Sequence, residues 1–269
     1  MRFVFAGDRD IAVWALDYLV SRGDLPVALL LPDRERATHA SELRRLCGHL
    51  PKDLIFEGRA FREEAAVSAL QALECDLVLG VHFPYIVPHE VLRVPRFGVL
   101  NLHPAYLPYN RGWHTPSWAI LDDTPYGATL HFMDSGVDTG DIVHRKQILI
   151  SPGDTADDLY GRVKRLELEV LTEAWPAIAA GDIERRPQPA EAGTAHKRAE
   201  LFSPEVQELD PHEVRRVGDV LRTLRALTTN RTEEAAYFEA DGRRFRVQVK
   251  IAEEPLRPKD KAADQGSAA

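Results

Sequence analysis

Four short apolar runs, each followed by a stretch of helical spacing, fill the first eighty residues, and this alternation leaves few folds open. RFVFAG (2–7) ends in glycine, as a buried parallel strand does, and Ile11, Ala15, Tyr18 and Leu19 then recur on one helical side up to Gly23. VALLLP (27–32), DLIFEG (53–58) and DLVLGVH (76–82) repeat the strand pattern, with helices expected over 38–47 and 63–73 between them. Such alternation requires right-handed crossovers and a parallel sheet covered by helices on both faces. A chain of 269 residues, 44% of them hydrophobic, can supply the core that this needs. The expected class is α/β: a Rossmann-like, mostly parallel sheet flanked by helices.

The middle of the chain changes character. GVLNLHP (98–104) reads as a strand ending in polar residues, and a turn-rich stretch leads to a helix near 114–121. YGATLHFM (126–133) and IVHRKQILI (142–150) read as strands on either side of a tight loop, the second alternating like a partly exposed antiparallel one. Leu159, Val163, Leu166, Val170, Ala174 and Ile178 mark one long helix over about 155–180. Prolines 187 and 189 then suggest a linker over 186–195. Beyond it, residues 196–252 read as a small α+β subdomain. It has a helix through Val214, Val217, Leu221 and Leu224, and a hairpin turning at Asp241-Gly242. The polar stretch 253–269 is expected to be disordered.

Composition removes several function classes. A net charge of −8 argues against a broad basic surface for nucleic acid, though not against one local anion pocket. Two cysteines are too few for a disulfide framework or a cysteine-built zinc site, and they suit a reducing cytoplasm. No apolar run approaches the length of a bilayer span, so no membrane partner is expected. The first loop, Gly7-Asp8-Arg9-Asp10, holds one glycine where a dinucleotide fingerprint needs three. Arg9 nevertheless lies where a strand passes into a helix N-terminus, a place that favours anions.

The densest polar chemistry lies between Asn101 and Asp141. Asn101 and His103 are two apart near the end of a strand, so both side chains project to one face. An amide donor can stabilise a developing oxyanion, and an imidazole can exchange a proton near neutral pH. Asp138, in the loop Gly136-Val137-Asp138-Thr139-Gly140, is the candidate carboxylate to orient the imidazole. Six of the ten histidines fall at 82, 89, 103, 114, 131 and 144, without the HExxH spacing of a metal hydrolase, and no metal is expected.

NLHPAYLPYNRGWHTPSWAI (101–120), followed by GATLHFMDSGVDTGDIV (127–143), resembles the formyltransferases that use 10-formyltetrahydrofolate. The resemblance rests on an Asn-x-His on a strand, an LP-x-x-RG segment, and an Asp before Thr-Gly, and it spans roughly residues 1–185. It implies a formyltransferase catalytic domain over 1–185, acyl transfer to a primary amine, and Asn101, His103 and Asp138 as the catalytic trio. By the same resemblance, 10-formyltetrahydrofolate is the co-substrate, held by Phe83, Pro84, Tyr85 and Ile86 and by Asp134.

HKRAEL (196–201), the hairpin and PYNRGW (108–113) are similar to nucleotide-sugar N-formyltransferases. The implied acceptor is a nucleoside-diphosphate-linked amino deoxysugar, such as a 4-amino-4,6-dideoxyhexose, whose product enters surface polysaccharide or glycoconjugate synthesis. Arg9, His196, Lys197 and Arg198 are candidates for the diphosphate, and Tyr106, Arg111 and Trp113 for the sugar or its amine. A homodimer is expected. Another amine acceptor such as methionyl-tRNA, or hydrolysis of formyltetrahydrofolate, are the alternatives. A histidine-built metal hydrolase and a non-catalytic sugar-nucleotide binder are further rivals.

Overall fold

The computed structural model describes residues 1–189 and 192–255. Five parallel strands come first: β1 (Phe3–Gly7), β2 (Ala28–Leu31), β3 (Ile55–Glu57), β4 (Leu77–Val81) and β5 (Gly98–His103). Between them run α1 (Arg9–Ser21), α2 (Ala40–Leu46), α3 (Glu64–Ala72) and α4 (His89–Leu92). After the two-residue β6 (Arg111–Gly112) and α5 (Thr115–Leu121), the strands β7 (Tyr126–Phe132) and β8 (Ile142–Ile148) extend the sheet antiparallel. The order is β3-β2-β1-β4-β5-β7-β8. The chain winds outward from β1 to β3, then returns to β4 on the other side of β1. The C-terminal ends of β1 and β4 therefore border a switch point, where open α/β sheets leave a crevice.

Strand periodicity explains the two cores. Phe3, Phe5, Leu77 and Leu79 face α1 and the long α6 (Ala156–Ala179), while Val4, Ala6 and Val78 face α3 and α4. The side chain of Thr155 accepts from the Asp158 N–H, and the Asp158 carboxylate accepts from the Thr155 N–H. This reciprocal cap sets the start of α6 and contributes about 1 kcal/mol. The long apolar stripe read from the sequence is the buried side of this helix.

The C-terminal part contains β9 (Ala195–His196), α7 (Pro204–Gln207), α8 (Val217–Ala226) and the hairpin β10 (Ala236–Ala240) with β11 (Arg243–Val247). Asp241 and Gly242 both have positive φ, as the tight hairpin turn demands. A small core of Leu201, Leu227 and Ala236 closes on Trp118 of α5. The α8 helix starts at Val217, later than its apolar pattern suggests, and Val214 before it is 98% exposed.

The stretch 186–195 departs from its expected role as a linker. Arg186 pairs with Ile142 through two backbone hydrogen bonds, and β9 pairs in parallel with β6. Backbone pairing at Arg186 and at Ala195–His196 thus ties the two ends of this strap to the rest of the domain. Of the tail expected to be disordered, 256–269 lie outside the described residues, as do 190–191 of the strap.

Candidate active site

Asn101 and His103 leave β5 on the same face, and the loop between β7 and β8 carries Asp138 over them. Asn101 Nδ2 donates to Asp138 Oδ1 at 3.5 Å, and His103 Nε2 lies 3.5 Å from Asp138 Oδ2. The three residues expected to meet thus lie around one carboxylate. His103 is buried, and its Nε2 also faces the carbonyl of Asn110 at 3.4 Å. Both neighbours of Nε2 are acceptors, so the neutral ring carries its proton there and leaves the lone pair on Nδ1.

Burial lowers the pKa of His103 below the ordinary 6.5, and the nearby Asp138 charge only partly offsets this. Burial opposes ionisation of Asp138 as well. His103, the neighbouring His131 and a hydrogen bond from the Gly112 N–H nevertheless hold its pKa well below the usual carboxylate range. The pair is a neutral imidazole beside an ionised carboxylate, the state suited to accepting a proton.

The Gly112 N–H donates to Asp138 Oδ2 at 2.9 Å. Gly112 has φ +92, and a Cβ there would lie 2.3 Å from the His196 carbonyl oxygen. Gly112→Ala is expected to push β6 off β9, displace that N–H, and lower turnover by about a hundredfold. Steady-state kinetics checks it, with thermal melting to separate the effect from unfolding.

His131, buried on β7 directly opposite Asn101, was seen in the sequence only as a candidate for metal spacing. Its Nδ1–H donates to the Phe132 carbonyl at 2.8 Å, and its Nε2 accepts from Asn101 Nδ2 at 3.3 Å. No spacing rule reaches this contact, because it depends on the register between β5 and β7.

Pro84, Tyr85, Ile86 and Trp113 line one cleft of about 390 Å³ with Arg59, Arg62 and Pro88. Ile86 is 82% exposed, whereas Phe83 and Tyr85 pack edge-on to each other in the aromatic cluster with Phe61. The Tyr85 hydroxyl donates to Asp33 Oδ2 at 2.5 Å. Asp134 lies outside this cleft and closes its own loop, accepting from Gly136 N and Thr139 Oγ1. Arg9 has a left-handed backbone, and its guanidinium donates to the Tyr160 hydroxyl at 2.6 Å. Tyr106 lies under the Arg145 guanidinium, and Arg111 donates twice to the Gln188 side chain.

His196 is spent on structure. It lies flat on Trp118 at 3.7 Å and is held between Asp122 and Glu200. A ring fixed by two carboxylates is not free for a diphosphate. Lys197 and Arg198 are exposed, with Arg198 over the Trp113 ring. Among the described residues no cluster of metal-ligating side chains occurs.

Residues 204–253 match the N-formyltransferase dimerization C-terminal domain. Methionyl-tRNA formyltransferase of Halorhodospira halophila is 39% identical over 205 residues, covering 72% of this chain. The match spans 64% of that enzyme's own length. A sugar N-formyltransferase from Shewanella sp. FDAARGOS_354 superposes with a TM-score of 0.79 at 21% identity, covering 95% of this chain and 99% of that one. A 4-N formyltransferase from Francisella tularensis gives 0.78 at 21%, covering 94% and 99%. Residues 30–175, more than half of the sequence, match the family described as formyl transferase, and the chain belongs to it.

Proposed function

We propose that this protein transfers the formyl group of 10-formyltetrahydrofolate to the primary amine of a nucleoside-diphosphate-linked amino deoxysugar. The observation that carries the reading is the convergence of Asn101, His103 and Asp138 at the C-terminal end of β5. The folate supplies the reactive formyl group. The cleft of Pro84, Tyr85, Ile86, Pro88 and Trp113 suits its flat ring system, and Arg59 and Arg62 suit its tail carboxylates. Arg62 Nε is buried and lacks a partner among the described residues, as a group awaiting a ligand would.

The chain's own groups divide the work. Asn101 exchanges its long contact to Asp138 for the formyl oxygen and stabilises the negative charge that gathers there. His103 Nδ1 takes the proton of the attacking amine and returns one to the leaving nitrogen. Asp138 keeps the ring oriented and supports it when it is charged. The amine attacks in its uncharged form, and no covalent bond to the protein is needed.

The acceptor assignment draws on the C-terminal part. The sugar N-formyltransferase and the 4-N formyltransferase above align over 99% of their length, and residues 204–253 match the N-formyltransferase dimerization C-terminal domain. The acidic balance of the chain disfavours tRNA. Formylation assays with nucleotide-linked amino sugars and with methionyl-tRNA, run side by side, test the assignment. Transfer to the tRNA alone would sink it.

The chain is read as a homodimer joined through the C-terminal subdomain. Val214, Val217, Leu221 and Phe245 are exposed in that subdomain, and residues 204–253 of it match a dimerization domain. Val217→Asp combined with Leu221→Asp is expected to convert the dimer to monomers in analytical ultracentrifugation. A cytoplasmic location, where two buried free thiols stay reduced, and a product destined for surface polysaccharide complete the reading.

A further inference from the structure

The strap beyond α6 reaches the active-site loop through one side chain. The bridge between Arg186 and Ile142 sets Gln188 beside residues 138–140. Gln188 Nε2 donates to the Asp138 carbonyl at 2.9 Å and to the Gly140 carbonyl at 2.7 Å. Its Oε1 accepts from Arg111 Nε at 3.2 Å and from Arg111 Nη2 at 2.8 Å. Both amide protons and both lone pairs are engaged, so the side chain has one orientation.

What it grips is a backbone that needs gripping. Asp138 has φ +53, a left-handed conformation that a non-glycine residue holds only when its surroundings over-determine it. Gly140, two residues further on, cannot carry a side chain, because a Cβ would lie 2.0 Å from the Phe132 carbonyl oxygen. Fixing the two carbonyls on either side of Thr139 fixes the direction in which the Asp138 carboxylate leaves the loop. That carboxylate has to meet four groups at once: His103, His131, Asn101 and the Gly112 N–H. Arg111, which immediately precedes Gly112, is the residue that holds the clamp. The strap, β6 and the Asp138 loop are thereby tied into one unit.

We infer that Gln188, held by Arg111, is a positioning residue that keeps the Asp138 carboxylate in register with His103 during formyl transfer. The inference rests on the function proposed above. Arg111 accordingly acts through Gln188 and the loop, in place of the sugar contact expected from the sequence.

Two variants test it. Gln188→Leu removes the donors and the acceptor at nearly the same size. Gln188→Glu keeps the acceptor for Arg111 but places an oxygen against two carbonyl oxygens. Each is expected to lower kcat by about ten- to a hundredfold with KM changed less than about twofold, since a misplacement of about 1 Å at the chemistry has that effect.

The second readout is the titration of the His103 ring by NMR in the free protein, with its resonance assigned by its loss in His103→Asn. The charged and titratable groups around that ring are Asp138 from the loop, His131 from β7 and Glu167 from α6. Asp138 raises the ring's pKa and His131 lowers it, so a loosened Asp138 moves the titration to lower pH. Lower kcat together with that shift supports the clamp. Wild-type kcat in both variants overturns it, and so does lost activity with an unmoved titration, which would mark a merely structural role. Should circular dichroism show Gln188→Leu unfolded, Gln188→Glu carries both readouts. Should the wild-type protein formylate neither acceptor, the proposed function falls, while the titration still decides the clamp.

Discussion

Replacing His103 by asparagine is expected to lower kcat by about a hundred- to ten-thousandfold, the range over which a positioned acid–base group acts. The reason lies in the ring's surroundings. It is buried, burial favours its neutral form, and its Nε2 faces only acceptors. Asparagine keeps the size and the donor toward Asp138 but has no basic nitrogen at neutral pH. The pH profile carries the sign. Burial lowers the His103 pKa, so the acid limb of the rate lies at lower pH than an ordinary imidazole would give. Asp138→Asn removes the charge that most raises the ring's pKa. In that variant the acid limb moves to lower pH while the plateau rate falls. Profiles of kcat/KM for the three proteins are the measurement. A His103→Asn enzyme with wild-type turnover would remove the acid–base role from His103.

The second large effect concerns stability. His82 follows β4 with a left-handed backbone, and its Nε2 lies 2.8 and 3.1 Å from the two oxygens of Glu167 on α6. Glu167 has no exposed surface, and His82 is its hydrogen-bond partner among the described residues. His82→Leu would leave a fully buried carboxylate without that partner. Removing one member of such a pair costs about 3–5 kcal/mol. The expected result is a lower urea midpoint at an unchanged slope. The double variant His82→Leu with Glu167→Leu should regain most of the loss, because replacing a buried pair by apolar groups of similar volume is often neutral. A single variant as stable as the wild type would show that water or another group satisfies Glu167.

Most of the architecture was legible because it depends on local pattern. The strands β1 to β5 are short apolar runs that read the same in any parallel sheet, and α6 shows its buried stripe at steps of three and four. The Asp241-Gly242 turn follows from backbone preference alone. Asn101 and His103 were paired by the two-residue period of a strand, again a local property. Asp138 entered through a motif, and its position over the β5 pair comes from the antiparallel connection of β7 and β8.

Other residues had no local signal. His131 meets Asn101 only because the register of β5 on β7 sets them opposite each other. Glu167 carries no signal of its own in the sequence, yet α6 turns it toward His82 at the end of β4. His196 looked like the start of a basic run suited to phosphate, but Asp122, distant in sequence, is its partner.

The sequence by itself determined the alternation of strands and helices, the two buried faces of the sheet and the amide–imidazole pair, since each follows from side-chain periodicity within one element. Only the tertiary structure decided that a proline-bounded strap closes over the site, with Gln188 on the Asp138 loop and Arg111 on Gln188. Those contacts join residues 50 and 77 positions apart, and hydrogen bonds at such separation are set by how the sheet edge and the strap pack.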